Sequence, residues 1–248
     1  MITFKSGRKN KIEIPSNWND LTVSQFKKII ASKSEEQIIE AITGIDYENS
    51  VQFLPFIGFA KEKFDSSTIE SSYFFTFRNQ TFEVPDIKQK SFGQKIIAQK
   101  IIKPQKDKDF EMQTAVDLVA NYMMPICTKR KFDKEEVNEF KIKLESCSFI
   151  HIFEVFLNIA DQLKSIIEKE SKVLSFSPTT EQIQAGIKSF DILGEFNAID
   201  NIAKGDPLKY EKLLELDYNT IFLKLLKSNL SSKFERKYND VLRSKKKT

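Results

Sequence analysis

Several scarcities narrow this chain before any motif is read. Two cysteines, Cys127 and Cys147, are too few for a disulfide framework, and their helical surroundings fit reduced thiols in a cytosol. With one histidine, His151, they build no zinc pattern. The seven glycines are scattered and make no phosphate-cradling loop. So little glycine and proline in 248 residues suits a mainly helical protein. No apolar run approaches the roughly eighteen residues that would suggest a membrane span. No N-terminal stretch joins a basic region to an apolar core, so the expected protein is soluble and cytoplasmic, without a membrane partner.

Charge of one sign is also scarce. Thirty-nine basic against 35 acidic residues leave +4, so most charges read as mixed, solvated helix faces. The exception is Arg243-Ser244-Lys245-Lys246-Lys247, which reads as a solubilising tail ahead of a nucleic-acid contact. His151 follows Ile150 beside the main apolar stripe of a long helical segment, where a structural or surface role is expected. Glu135-Glu136 and Glu168…Glu170 lie among lysines, as solvated carboxylates do. These residues assemble no catalytic set, no metal set and no cofactor site, so no enzyme is expected.

What the chain does have is a module spelled twice, about seventy residues apart. The first copy runs Ile2-Thr3-Phe4, Gly7-Arg8-Lys9, Ile12-Glu13-Ile14-Pro15, then Thr22-Val23-Ser24-Gln25. The second runs Phe75-Thr76-Phe77, Asn79-Gln80, Phe82-Glu83-Val84-Pro85, then Ser91-Phe92-Gly93-Gln94. Each reads as a β-hairpin, a proline stop and a helix opened by a capping box. A three-residue loop at Gly7–Lys9 sets Phe4 opposite Ile12 and Ile2 opposite Ile14. A two-residue turn at Asn79-Gln80 sets Phe77 opposite Phe82 and Phe75 opposite Val84, all on one face. The inward set of the first hairpin (Ile2, Phe4, Ile12, Ile14) is expected to match that of the second. An isolated hairpin is marginal in water, so the two are expected to pair with each other.

The remainder reads as helices. Phe26, Ile29 and Ile30, then Ile38, Ile39 and Ile42, give two short ones broken near Ser32–Ser34 and closed at Gly44. Tyr47 to Phe64 reads as helical with an interruption at Pro55, and residues 65–72 as a linker. The second module's helix carries Ile96 to Ile102 and stops before Lys103-Pro104, with a loop over Gln105–Asp109. A helix near Met112–Met124 is expected to stop at Pro125. Asp133 with Glu136 caps the next. Phe149, Ile152, Phe153, Phe156 and their successors through Ile167 form the clearest amphipathic helix. After a linker at Ser175–Pro178, a helix capped by Ser177 or Thr179 runs past Phe190 and Phe196 to Gly205. Asp206-Pro207 opens a short helix, and Asp217 caps a long final one carrying Ile221, Leu225, Leu226, Phe234, Tyr238 and Val241.

The expected fold is therefore α+β and predominantly α-helical, with two hairpin modules as a pseudo-repeat and a C-terminal helical unit. Its divisions are 1–72, 73–176 with the long amphipathic helix, and 177–248 with the basic tail.

Ile12-Glu13-Ile14-Pro15-Ser16-Asn17-Trp18, Leu21-Thr22-Val23-Ser24-Gln25-Phe26 and Ile42-Thr43-Gly44-Ile45 carry a family resemblance. So do Phe75-Thr76-Phe77…Phe82-Glu83-Val84-Pro85, Phe92-Gly93-Gln94, Phe196-Asn197, Gly205-Asp206 and Tyr218-Asn219…Lys237-Tyr238. With these the chain resembles tail assembly chaperones encoded in the structural-gene region of bacteriophages of Bacteroidota. The resemblance implies a non-enzymatic protein that holds the tape-measure protein until the tail tube polymerises around it, through apolar helix grooves. The alternative is a virion component, such as a portal-ring, head–tail connector or tail subunit. A further alternative is a nucleic-acid-binding accessory protein. The candidate contact surface is the C-terminal helix pair around Phe190, Phe196, Ile221 and Leu225.

Overall fold

The computed structural model describes residues 1–6, 10–62, 64–102, 112–175 and 178–245; at 5–6 and 10–12 only the backbone is described. The expected loops at Gly7–Lys9 and Gln105–Asp109, the stop at Lys103-Pro104, and Phe176, Ser177, Lys246 and Lys247 lie outside these residues. So does the side chain of Ile12.

Predominantly helical structure with two small antiparallel sheets is what the chain adopts. In order come β1 (Ile2–Ser6) and β2 (Asn10–Ile14), then α1 (Val23–Ala31), α2 (Glu35–Thr43) and α3 (Tyr47–Ser50). After β3 (Phe74–Phe77) and β4 (Gln80–Glu83) follow α4 (Phe92–Ile102), α5 (Met112–Thr128), α6 (Lys134–Leu144) and α7 (Phe149–Val173). The chain closes with α8 (Thr180–Gln184), α9 (Glu195–Ala203), α10 (Tyr210–Glu215) and α11 (Tyr218–Lys245). Two compact units are interleaved along the chain rather than consecutive. The first comprises Met1–Val84 with Ile101–Ala160, the second Pro85–Lys100 with Asp161–Thr248.

In the first unit, β1 and β2 pair as read, Ile2 with Ile14 and Phe4 with Ile12. The second hairpin differs from the sequence reading. Its register pairs Phe75 with Phe82 and Phe77 with Gln80, because the two-residue turn is Arg78-Asn79. Both turn residues take positive φ (50° and 61°), the geometry whose twist matches a tight hairpin. A shift of two residues changes partners but not faces. Phe75, Phe77 and Val84 are therefore still buried together. Nor do the hairpins pair with each other; each is its own two-stranded sheet. Helices cover them instead. Phe4 packs on Phe53 and Phe56, while Phe77 packs on Phe140 of α6 and Phe75 stacks on His151 of α7.

At the centre of the first unit lies α5, with Leu118, Val119, Ala120, Met123 and Met124 wholly buried. It runs through Pro125 rather than stopping there. The missing N–H falls in the last turn, where it forfeits a single ladder bond, and the Thr128 hydroxyl donates to the Met124 carbonyl at 2.8 Å. Residues 47–61 form α3 and short 3-10 turns around Pro55 where one interrupted helix was expected. In the second unit the expected helix from Thr179 to Gly205 is likewise divided. Thr179 caps α8 through a capping box with Gln182. Gly186 and Gly194 then take positive φ, which a continuing helix forbids, and isolate a 3-10 segment over Ile187–Leu193.

The two units repeat a joint at a common offset of 69 residues. In the first, Val23 N–H donates to the Cys147 carbonyl and Phe149 N–H to the Leu21 carbonyl. In the second, Phe92 N–H donates to the Leu216 carbonyl and Tyr218 N–H to the Lys90 carbonyl. Thr22 bridges Ser148 as Ser91 bridges Asp217, so the start of one helix is sewn to the start of another. The turns before the caps obey the same offset: Asn17 accepts from the Asn19 N–H, and Asp86 from the Lys88 N–H. Thr22 and Ser91 both cap as expected, accepting from the N–H groups of Gln25 and Gln94 at 3.2 Å.

Candidate partner-binding surface

The final helix is built with two faces. Asp217 opens it by accepting the Thr220 hydroxyl at 2.6 Å and the Thr220 N–H at 2.8 Å, and these bonds, the hydroxyl's first, lower its carboxyl's pKa. At 3.6 residues per turn, Tyr218, Ile221, Phe222, Leu225 and Asn229 share one face. This face turns inward: Tyr218, Ile221 and Phe222 are buried, and the Asn229 amide donates to the Leu174 carbonyl at 3.2 Å. On roughly the opposite face lie Leu223, Leu230, Phe234, Tyr238 and Val241. All five are exposed, Phe234 by 68%. The Phe234 and Tyr238 rings stack at 6.0 Å, one turn apart. From Leu230 to Lys245 every residue is exposed. Contiguous exposed apolar surface is what contact surfaces of proteins commonly present, which makes this stripe the candidate.

The four residues expected to make the contact do not share a surface. Phe190, in the 3-10 segment, is 59% exposed, and Phe196 at the start of α9 is 44% exposed with its ring edge-on to Tyr210. Leu225 is half-buried in the wall of a cleft, and Ile221 is fully buried, so it is core rather than contact. Sequence reading placed Phe234, Tyr238 and Val241 on the final helix without separating its faces. The signal was there: Ile221 and Leu225 cannot share a stripe with Leu223 and Leu230 at helical spacing.

Beneath that helix the second unit buries a charge. Lys95 of α4 is 1% exposed, with Nζ 2.9 Å from Glu170 and 3.7 Å from Glu195. The same nitrogen lies over the rings of Tyr218 and Phe92, at 5.8 and 5.9 Å. Burial, then the Glu170 carboxylate, pushes the Tyr218 phenol above its ordinary pKa. Glu170 and Glu195 also line a cleft of about 410 Å³ with Asn201, Ser228, Asn229 and Ser232. Leu174, Ala198 and Leu225 complete its wall, but the two carboxylates and the Asn and Ser side chains interrupt that apolar surface, so it is not the continuous apolar groove a hydrophobic client would need.

A wider cleft of about 800 Å³ in the first unit runs past Trp18, Phe64, Asp65, Glu70, His151 and Glu154. His151 is fully engaged in its wall. Nε2 accepts the Thr76 N–H at 2.7 Å, which leaves Nδ1 as the donor to Glu154 at 3.2 Å. The imidazole thus ties β3 to α7. Among the described residues, no group of three or more His, Cys, Asp or Glu side chains could hold a metal ion, and no helix is long and apolar enough to cross a membrane.

No family model matches the chain, and neither a curated protein nor a solved structure matches it.

Proposed function

We propose that this chain is a non-enzymatic phage assembly protein, a tail assembly chaperone that holds the tape-measure protein before the tail tube polymerises. The observation that carries the reading is the exposed apolar surface of the second unit, where Phe190, Ile192, Phe196 and the outward stripe of α11 all face solvent. A client rich in unpaired helices needs such a cover until its own partners arrive. The resemblance of both hairpin modules to the chaperone group supports the same reading, as does the engagement of His151 in structure. Co-expression with the tape-measure protein of the same phage tests it. A soluble complex is expected where the tape-measure protein alone aggregates. Tape-measure protein that stays insoluble, or stoichiometric recovery of this chain in mature virions, contradicts it; the latter outcome favours a virion structural component.

A further inference from the structure

We infer that the outward face of α11 is a seat for an acidic, amphipathic α-helix of a partner protein, paired along it in coiled-coil fashion. The inference deepens the binding reading above and rests on it for the biological client. Three observations carry it. The first is shape. Leu223, Leu230, Phe234, Tyr238 and Val241 follow one another at spacings of seven, four, four and three residues, all exposed. That is a narrow seam of the kind two helices share, whereas a helix lying in a bilayer surface carries a broad apolar face.

The second is charge. Between Lys224 and Lys245 the helix carries seven basic residues against two acidic ones, Glu235 and Asp240. On the helical wheel Lys227 and Lys245 fall in line with the stripe, and Lys224 and Lys237 fall beside it. A second copy of this chain would bring like charges together along the seam, while flanking carboxylates on a partner would answer them. The third is exposure. The helix from Leu230 onward has every residue exposed, and isolated helices of about this length are marginal in water. A partner along the seam would supply the missing burial.

The test uses the full chain and two designed helical probes of about four heptads, with leucine at the seam positions and either glutamate or lysine on the flanks. Binding is read by fluorescence anisotropy. The glutamate probe is expected to bind at least about tenfold more tightly than the lysine probe, and that preference to fall as salt rises. Phe234→Asp, at an exposed position, should weaken the glutamate probe at least about tenfold while leaving the circular dichroism and melting curve unchanged. Equal binding of the two probes, or none, overturns the inference. So does a dimer of the chain that Phe234→Asp dissolves. Binding to vesicles of mixed phosphatidylserine and phosphatidylcholine, without binding to the glutamate probe, overturns it in favour of a membrane surface. The two readings fail separately. If Phe234→Asp still captures the tape-measure protein, the seat is wrong and the chaperone reading survives. If the wild-type chain selects the glutamate probe but captures no tape-measure protein, the seat stands and the client is another.

Discussion

Lys95 stands in the second unit where Phe26 stands in the first, 69 residues apart along the chain. Phe26 stacks on Phe149 at 4.1 Å, at the start of α7. Lys95 lies over Tyr218, at the equivalent start of α11, and reaches Glu170. One joint is closed by two rings and the other by a buried ion pair under a ring. The second requires its counter-charge, since an unpaired ammonium in that position would be strongly penalised.

Lys95→Met should therefore destabilise the protein by about 3 kcal/mol, because it strands Glu170 beside Tyr218. Lys95→Met combined with Glu170→Met should recover a substantial part of that loss. Urea denaturation of the two single variants and the double variant gives the coupling between them. Additive losses would mean the pair is not coupled.

Gly93 occupies the place equivalent to Ser24, but a Cβ there would meet the Leu214 carbonyl oxygen at 3.1 Å and Leu214 Cβ at 3.3 Å. Alanine in place of glycine within a helix ordinarily gains up to about 1 kcal/mol. Gly93→Ala should lose about that much instead, because backbone must move to admit the methyl group. A raised midpoint in urea would contradict the close approach.

The caps of α1 and α4 make a matched pair. Thr22→Ala and Ser91→Ala should each cost about 1 kcal/mol, with Ser substituted for Thr22 retaining most of the stability. Melting temperatures unchanged in both alanine variants would remove the capping assignment.

Asp20 supplies a pH test. Its carboxylate accepts from the Met1 α-ammonium at 2.6 Å, and from the Ser16 N–H and hydroxyl at 2.9 and 2.7 Å. These bonds, the ammonium's first, hold its pKa at about 2 against an ordinary 3.8. A folded value below the unfolded one gives stability that is present above about pH 4 and lost as pH falls toward 2. The stability difference between wild type and Asp20→Asn should thus shrink across that interval. A difference that stays constant from pH 5 to pH 2 would show that the ionised carboxylate contributes nothing.

Local signals were legible where the chemistry is local. The caps at Thr22, Ser91, Asp133, Thr179 and Asp217 rest on side chains bonding backbone within three residues, and so could be read directly. The second hairpin's register could not, because Arg78 takes a positive φ for which its side chain gives no sign. Lys95 reads as one more solvated lysine; what makes it a core residue is Glu170, distant in sequence and adjacent in the second unit. The candidate surface was half legible. Phe234 and Tyr238 were visible, but only the burial of Ile221 and Phe222 shows which face of α11 is left for a partner.

Hydrogen–deuterium exchange along α11, with and without the tape-measure protein, tests the central claim most directly. In the free chain, amides of residues 230–245 should exchange quickly, since that stretch is exposed on all sides. In the complex they should slow by about tenfold or more, while the amides of α5 stay as protected as before. A complex that forms without protecting residues 230–245 would contradict the account.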